Sequence, residues 1–146
     1  MKIKAYLNES PVFVVNALYE SVIADVNRQL RDDDVNLLQG LILTALLFED
    51  HASVTPSKLA EVFSTSRGNI SHAVSHLESE RLLKRRVDES DARRFHLVLT
   101  PEGKKAAQRL IKFFDSLQGK IETALGITEC RRIVTGLRGL ERVLKT

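Results

Sequence analysis

Residues 64–103, STSRGNISHAVSHLESERLLKRRVDESDARRFHLVLTPEG, decide the fold of this chain. The stretch opens with serine and threonine residues of the kind that cap helices, and it continues as a short amphipathic helix. A basic run, an acidic turn, Arg93 and Arg94, and an alternating apolar strand follow. We therefore predict a helix and a basic two-stranded ribbon, a shape that can place one element in each groove of a DNA duplex.

The helical part of this stretch is the second of two short helices. Thr55-Pro56 is a cap followed by a proline and starts the first helix, and Ser66 caps the second, with Arg67 at its first position. The predicted buried stripe of the second helix is Ile70, Ala73, Val74 and Leu77. Its outer face carries Gly68, Asn69, Ser71, His72, Ser75 and His76. Two short helices with polar side chains on the second form a helix-turn-helix pattern.

The ribbon is predicted as two strands, residues 82–88 and 95–100, around a turn at residues 89–92. Phe95, Leu97 and Leu99 alternate with polar or smaller neighbours, so we expect these three on one buried sheet face.

Helical patterns flank this region on both sides. Ser10-Pro11 starts a helix whose apolar face is wide enough to be buried against its own domain and a partner, and Asn36 caps a nearly all-apolar core helix that runs to Phe48. Thr100-Pro101 starts a long helix, and Thr128 is the expected cap of the last one. The predicted fold is mainly α with a small β wing: a winged helix-turn-helix (35–103) with a helical dimerisation platform (1–34 and 104–146).

Composition and charge narrow the class of protein. Hydrophobic residues make up 43% of the 146, enough for a packed core. The net charge is +3, but residues 1–57 carry −4, residues 58–105 carry +3 and residues 106–146 carry +4, which favours a polyanion-facing side. One cysteine excludes an internal disulfide framework, and no apolar run suits a signal peptide or a membrane span. We expect a cytoplasmic protein without membrane contact.

The motifs in their order resemble the MarR family (multiple antibiotic resistance regulators) of winged-helix repressors. The most specific matches are Asp91-Ala92-Arg93-Arg94 at the wing tip and Leu99-Thr100-Pro101-Glu102-Gly103 at the entry to the next helix. The resemblance covers nearly the whole chain. It implies a homodimer with interlocked terminal helices, a recognition helix in a major groove and a wing tip with Arg93 in the adjacent minor groove. It also implies that a small aromatic effector is a candidate partner.

One position departs from the family pattern. Arg81 stands where the family usually has glycine, just after the recognition helix. A left-handed backbone is common at such a position and costs a non-glycine residue about 1 kcal/mol. We expect a local difference at the helix end and no loss of DNA binding.

The expected DNA-binding residues lie on the second helix of the pair and on the wing. They are Ser66, Arg67, Gly68, Asn69, Ser71, His72, Ser75, His76, Arg85, Arg86, Asp91, Arg93 and Arg94. Asparagine pairs with adenine, arginine with guanine or phosphate, and a wing-tip arginine suits the negative potential of a minor groove. The alternative is a solvated polar face and strand-edge charges that discourage aggregation.

Other candidate sites carry less signal. His72 and His76 have the i, i+4 spacing of two metal ligands, but the nearest further histidine, His96, lies on the wing, so we expect no metal and no cofactor. Cys130 is read as a buried or incidental thiol. An effector pocket could be lined by Phe13, Tyr19, Phe48 and His51, although aromatic residues at helical spacing are more often plain core.

These observations predict a sequence-specific DNA-binding regulator, a homodimeric repressor of a pseudo-palindromic operator that a small-molecule effector releases. The alternative is a winged-helix protein-interaction module without a DNA target, since a fold does not fix a function. An enzyme is not expected, because we find no nucleophile–base arrangement, paired carboxylates or phosphate-cradling glycine loop in the sequence.

Overall fold

The computed structural model describes residues 2–49, 54–87 and 95–145 of the chain. The helices and strands are α1 (Lys2–Glu9), α2 (Pro11–Leu30), α3 (Leu37–Phe48), α4 (Pro56–Val62), α5 (Arg67–Ser79), β1 (Leu83–Val87), β2 (Phe95–Leu99), α6 (Pro101–Leu125) and α7 (Ile127–Leu144). The predicted fold class, mainly α with a small two-stranded wing, is confirmed.

The sequence analysis missed α1. All eight of its residues are exposed, and its visible tie to the next helix is the Tyr6 ring, whose centroid lies 5.8 Å from that of Phe13. The predicted helix start at Pro11 is correct, because Ser10 has an extended backbone and ends α1 before α2 begins. The Ser10 side chain makes no capping hydrogen bond, so Pro11 is the stronger signal.

Helix α3 is the core helix that its composition predicted. Asn36 Oδ1 accepts a hydrogen bond from the Gln39 amide (3.0 Å), and Gln39 Oε1 accepts one from the Asn36 amide (2.8 Å). This reciprocal capping box fixes the start of the helix. No residue from 37 to 47 is exposed, and Ile42 and Leu43 are completely buried.

Helices α4 and α5 form the predicted helix-turn-helix. Thr55 Oγ1 accepts from the Lys58 amide (3.3 Å), and Ser66 Oγ accepts from the Asn69 amide (3.1 Å), so both predicted caps are confirmed. The predicted stripe of α5 is buried in full: Ile70, Ala73, Val74 and Leu77. One side of α5 is therefore fixed in the core.

Strands β1 and β2 pair antiparallel, with Leu83 opposite Leu99 and Val87 opposite Phe95. Leu97 and Leu99 are buried as predicted, but the expectation for Phe95 is wrong, since 44% of it is exposed. Phe95 pairs at the end of the ribbon that is farther from Leu83 and Leu99, where the sheet has left the core. The predicted turn at residues 89–92 lies outside the described residues.

The wing is fastened to the start of α6 by Thr100. Its amide donates to the Leu82 carbonyl (3.1 Å), its hydroxyl is shared between the carbonyls of Arg81 (2.8 Å) and Leu82 (3.1 Å), and its Oγ1 accepts from the Gly103 amide (3.1 Å). A Cβ on Gly103 would lie 1.8 Å from the Leu82 carbonyl oxygen, so this position excludes every side chain. The threonine–x–x–glycine spacing of the motif thus has a steric reason.

The chain divides into two compact units, residues 1–111 and residues 112–146. In the second unit, α7 is capped by Gly126 (φ +82°), not by Thr128 as predicted, because the turn needs a left-handed residue directly before Ile127. Helix α7 has no buried residue. The division predicted from the sequence, a dimerisation platform (1–34 and 104–146) and a winged region (35–103), has different boundaries from these two units and stays a prediction.

Among the described helices, none is long and apolar enough to cross a membrane.

Candidate nucleic-acid interface

The outer face of α5 is exposed and polar. It consists of Ser66 at the cap and Arg67, Gly68, Asn69, Ser71, His72 and Ser75 on the helix. The Asn69 amide group donates to Thr65 Oγ1 (3.0 Å), which orients it over the first turn. The buried stripe behind this face holds the helix, so these side chains are presented by a rigid support.

His76 differs from the rest of the predicted face. It is half-buried, and its Nε2 lies 2.7 Å from the backbone carbonyl oxygen of Asp34, in the α2–α3 junction. A carbonyl oxygen only accepts, so Nε2 carries the proton in this contact. His76 thus has a partner inside the chain, and a contact between His76 and DNA stays a prediction.

Arg85 on β1 also has partners inside the chain. Its guanidinium donates to Glu78 Oε2 (2.7 Å) and to Ser75 Oγ (3.3 Å), and it lies 5.3 Å from the centre of the Phe95 ring. Both charged groups are about one-third exposed, so the ion pair contributes up to roughly 1 kcal/mol after solvent screening. The cluster joins the wing to α5, and it explains the position of Phe95.

Side chains alternate along β1, which places Lys84 and Arg86 on the face opposite Arg85. Both are exposed. They form the basic face of the wing within the described residues. The predicted wing-tip residues Asp91, Arg93 and Arg94 lie outside the described residues.

Arg81 has the left-handed backbone that its position suggested, with φ at +58°. It follows Glu80, which ends α5, and its amide donates to the Glu78 carbonyl (3.0 Å). The chain therefore makes a left-handed turn at this position without a glycine, at a conformational cost of roughly 1 kcal/mol.

The four predicted effector residues are not gathered in one pocket of the described chain. Phe48 is 69% exposed and lines an apolar depression of about 440 Å³ between α3 and α4, together with Leu41, Leu59 and Phe63. Phe13 and Tyr19 of α2 are exposed and are not among its lining residues. His51 lies outside the described residues.

The structure also assembles a group that the sequence analysis did not find. Side-chain ligand atoms of Asp34, His76 and Glu80 lie within 4.8 Å of one another. Asp34 is 42 residues from His76, so no local spacing in the sequence joins these two as it joins His72 and His76.

The fold and this interface define a winged helix-turn-helix protein. The sequence model of the MarR family matches residues 33–94, which include α3, α4, α5 and β1. The resemblance to the MarR family is thereby confirmed over residues 33–94, which hold most of the winged helix-turn-helix. No curated protein matches the sequence significantly.

Solved structures share the fold of this chain. Staphylococcus aureus MepR in complex with DNA has a TM-score of 0.80 and 21% identity, covering 92% of this chain and 98% of MepR. Streptococcus pneumoniae FabT in complex with DNA has a TM-score of 0.75 and 21% identity, covering 90% of this chain and 93% of FabT. Staphylococcus aureus MepR bound to ethidium bromide has a TM-score of 0.60 and 20% identity, covering 94% of this chain and 98% of MepR.

Proposed function

We propose that this chain is a sequence-specific DNA-binding transcriptional regulator, a homodimeric repressor of a pseudo-palindromic operator that a small-molecule effector releases. The observation that carries the proposal is the build of α5. One face is fully buried in the core, and the opposite face is exposed, polar and next to a basic strand. MepR and FabT, which share the fold, were both solved in complex with DNA.

In this proposal α5 enters a major groove by its N-terminal half. Arg67 reads guanine or a phosphate, Asn69 reads adenine, and the small side chains of Gly68 and Ser71 allow a close approach. Lys84 and Arg86 bind phosphates, and Arg93, oriented by Asp91, reaches the adjacent minor groove with Arg94 on the backbone. Arg85 positions the wing against α5 through Glu78 instead of binding DNA directly.

Exposed apolar side chains support the dimer. Helix α2 exposes Val12, Phe13, Val14, Val15, Leu18 and Tyr19, and α7 exposes Ile133, Val134, Leu137, Val143 and Leu144. An 18-residue amphipathic helix with no buried residue lacks the packing on which most helical stability depends. An exposed apolar face on each of these helices marks an interaction site. We assign it to a second copy of the chain.

The proposed response to a small-molecule effector rests on the apolar depression between α3 and α4. It is lined mainly by apolar side chains, with Lys58 and Glu49 also among its lining residues, and its size suits a small aromatic molecule. MepR, of the same fold, was solved with ethidium bromide. A compound that occupies the depression is expected to raise the melting temperature of the free protein and to dissociate the DNA complex.

The DNA proposal is tested by fluorescence anisotropy with a random duplex, titrated at several salt concentrations. Each phosphate contact contributes about −0.9 to the slope of log K against log salt. A dimer would lose the Arg86 contact in both chains, so Arg86→Ala should reduce the magnitude of the slope by about 1.8. Arg28→Ala on α2 is the matched control and should leave the slope unchanged. Absence of binding even at low salt would favour the protein-interaction module.

Specificity is tested separately by genomic footprinting, which should return inverted repeats with half-sites about 34 Å apart. Arg67→Ala should relax base preference at one position of each half-site, whereas Arg93→Ala should weaken binding to all sequences. If Arg93→Ala binds as tightly as the parent protein, the wing tip has no part in the mechanism.

A further inference from the structure

The edge of α5 that is turned towards the α2–α3 junction carries a histidine and a carboxylate one turn apart. His76 and Glu80 have the i, i+4 spacing that places two side chains on one helix face. Asp34 adds a third group from the junction, where its left-handed backbone (φ +51°) ends the 3₁₀ turn Arg31–Asp33. We propose that Asp34, His76 and Glu80 bind a divalent transition-metal ion, with Zn²⁺ as the best match.

The distances suit a single ion after small side-chain rotations. The three ligand atoms lie within 4.8 Å of one another. Ligand atoms around a tetrahedral zinc ion are roughly 3.3–3.4 Å apart, as bonds of about 2.0–2.1 Å require, so the side chains must close in by up to about 1.5 Å. Asp34 and Glu80 are exposed, so their carboxylates can rotate inward without breaking the core.

The hydrogen bond of His76 prepares it as a ligand. Nε2 donates to the Asp34 carbonyl oxygen at 2.7 Å, so in the neutral ring Nδ1 holds the lone pair that a metal needs. A metal-bound histidine usually donates its other ring N–H to a carbonyl or carboxylate in this way, which fixes the tautomer and the ring orientation.

The donor set selects the class of metal. One imidazole nitrogen with two carboxylate oxygens suits zinc and similar transition metals, whereas Mg²⁺ and Ca²⁺ take oxygen ligands in six-fold or higher coordination. The two carboxylates also balance the charge of a divalent ion. A fourth position would remain for water.

The ion would join two parts of the chain that are far apart in sequence. His76 lies in α5, Glu80 is the C-cap that follows this helix, and Asp34 precedes α3. An ion that binds only the folded arrangement opposes local opening, so amide hydrogen exchange in the second half of α5 should slow when Zn²⁺ is added. This consequence does not depend on DNA binding.

The test uses the tag-free full-length protein and Zn²⁺ alone, with isothermal titration calorimetry and competition against a chromophoric chelator. We expect one Zn²⁺ per chain, and no comparable binding of Mg²⁺. Glu80→Gln and Asp34→Asn should each weaken Zn²⁺ binding at least roughly tenfold, since even loss of a supporting contact around a metal costs that much. Both substitutions spare the backbone carbonyl that holds His76, and asparagine tolerates the left-handed backbone at position 34.

Two matched controls identify the site. His72→Gln removes the other histidine on α5, and Glu61→Gln removes an exposed carboxylate on α4. Both should leave Zn²⁺ affinity within about twofold, because neither side chain belongs to the group of three ligands. Loss of binding in His72→Gln would overturn the proposal. So would unchanged affinity in Glu80→Gln, no binding by the parent protein, or Zn²⁺ binding that leaves hydrogen exchange in α5 unaltered.

Discussion

Replacement of Gly103 by alanine is predicted to be severely destabilising. The new Cβ would lie 1.8 Å from the Leu82 carbonyl oxygen and 2.8 Å from the Leu82 carbonyl carbon. Both atoms are backbone, so either α6 or the start of β1 must move by more than an ångström. That movement breaks the two hydrogen bonds that the Thr100 amide and hydroxyl donate to the Arg81–Leu82 backbone.

The magnitude follows from these contacts. Two hydrogen bonds contribute about 1 kcal/mol each, and overpacking of a tight site costs about 1–3 kcal/mol. We expect the free energy of unfolding to fall by about 3–5 kcal/mol, which is a large part of the stability of a small protein. With a urea m-value of about 2 kcal/mol/M, the unfolding midpoint should fall by roughly 1.5–2.5 M.

The assay is urea denaturation followed by circular dichroism, with all variants at one protein concentration because the stability of the proposed dimer would depend on it. Gly119→Ala is the matched control in the same helix, since no atom lies within 4 Å of its added Cβ. That variant should be more stable by up to about 1 kcal/mol, because alanine favours a helix. Equal shifts in the two variants would refute the steric reasoning.

Three further predictions concern single contacts of the winged region. Arg81→Gly should raise the free energy of unfolding by up to about 1 kcal/mol, because it relieves the left-handed backbone at φ +58°. Asn36→Ala should lower it by about 1 kcal/mol through loss of the capping box, in the same denaturation assay. A double-mutant cycle with Glu78→Gln and Arg85→Gln should give a coupling energy below about 1 kcal/mol that shrinks in salt; a salt-independent value would mean that the pair acts by packing.

Much of the fold is predictable because its signals are local. Thr55, Ser66 and Asn36 cap helices as expected, since a cap depends on a side chain and an amide three residues later. The buried stripe of α5 follows from helical periodicity alone. Helix α1 was missed because it is short and exposed, and helices of its length are marginal by themselves.

The wrong predictions have a different cause: each followed a local sequence pattern at a position where the surrounding structure imposes another geometry. Phe95 keeps the strand alternation, but the sheet has left the core at that position and the ring meets Arg85 instead. Thr128 is a good capping residue, yet Gly126 takes the cap position because the turn there needs positive φ. The sequence shows which residues are able to cap a helix or to occupy a buried strand position. It does not show which backbone geometry the neighbouring elements require there.

Helix α5 shows where sequence reasoning stops. Periodicity divides it into a buried stripe and an outer face, but the structure adds two lateral contacts, from His76 to the Asp34 carbonyl oxygen and from Glu78 to Arg85. These partners come from the α2–α3 junction and from the wing, so α5 is held by segments on either side of it in the sequence. The buried stripe and these two lateral contacts together fix the direction in which the polar face of α5 points, and only the stripe could be found from the sequence.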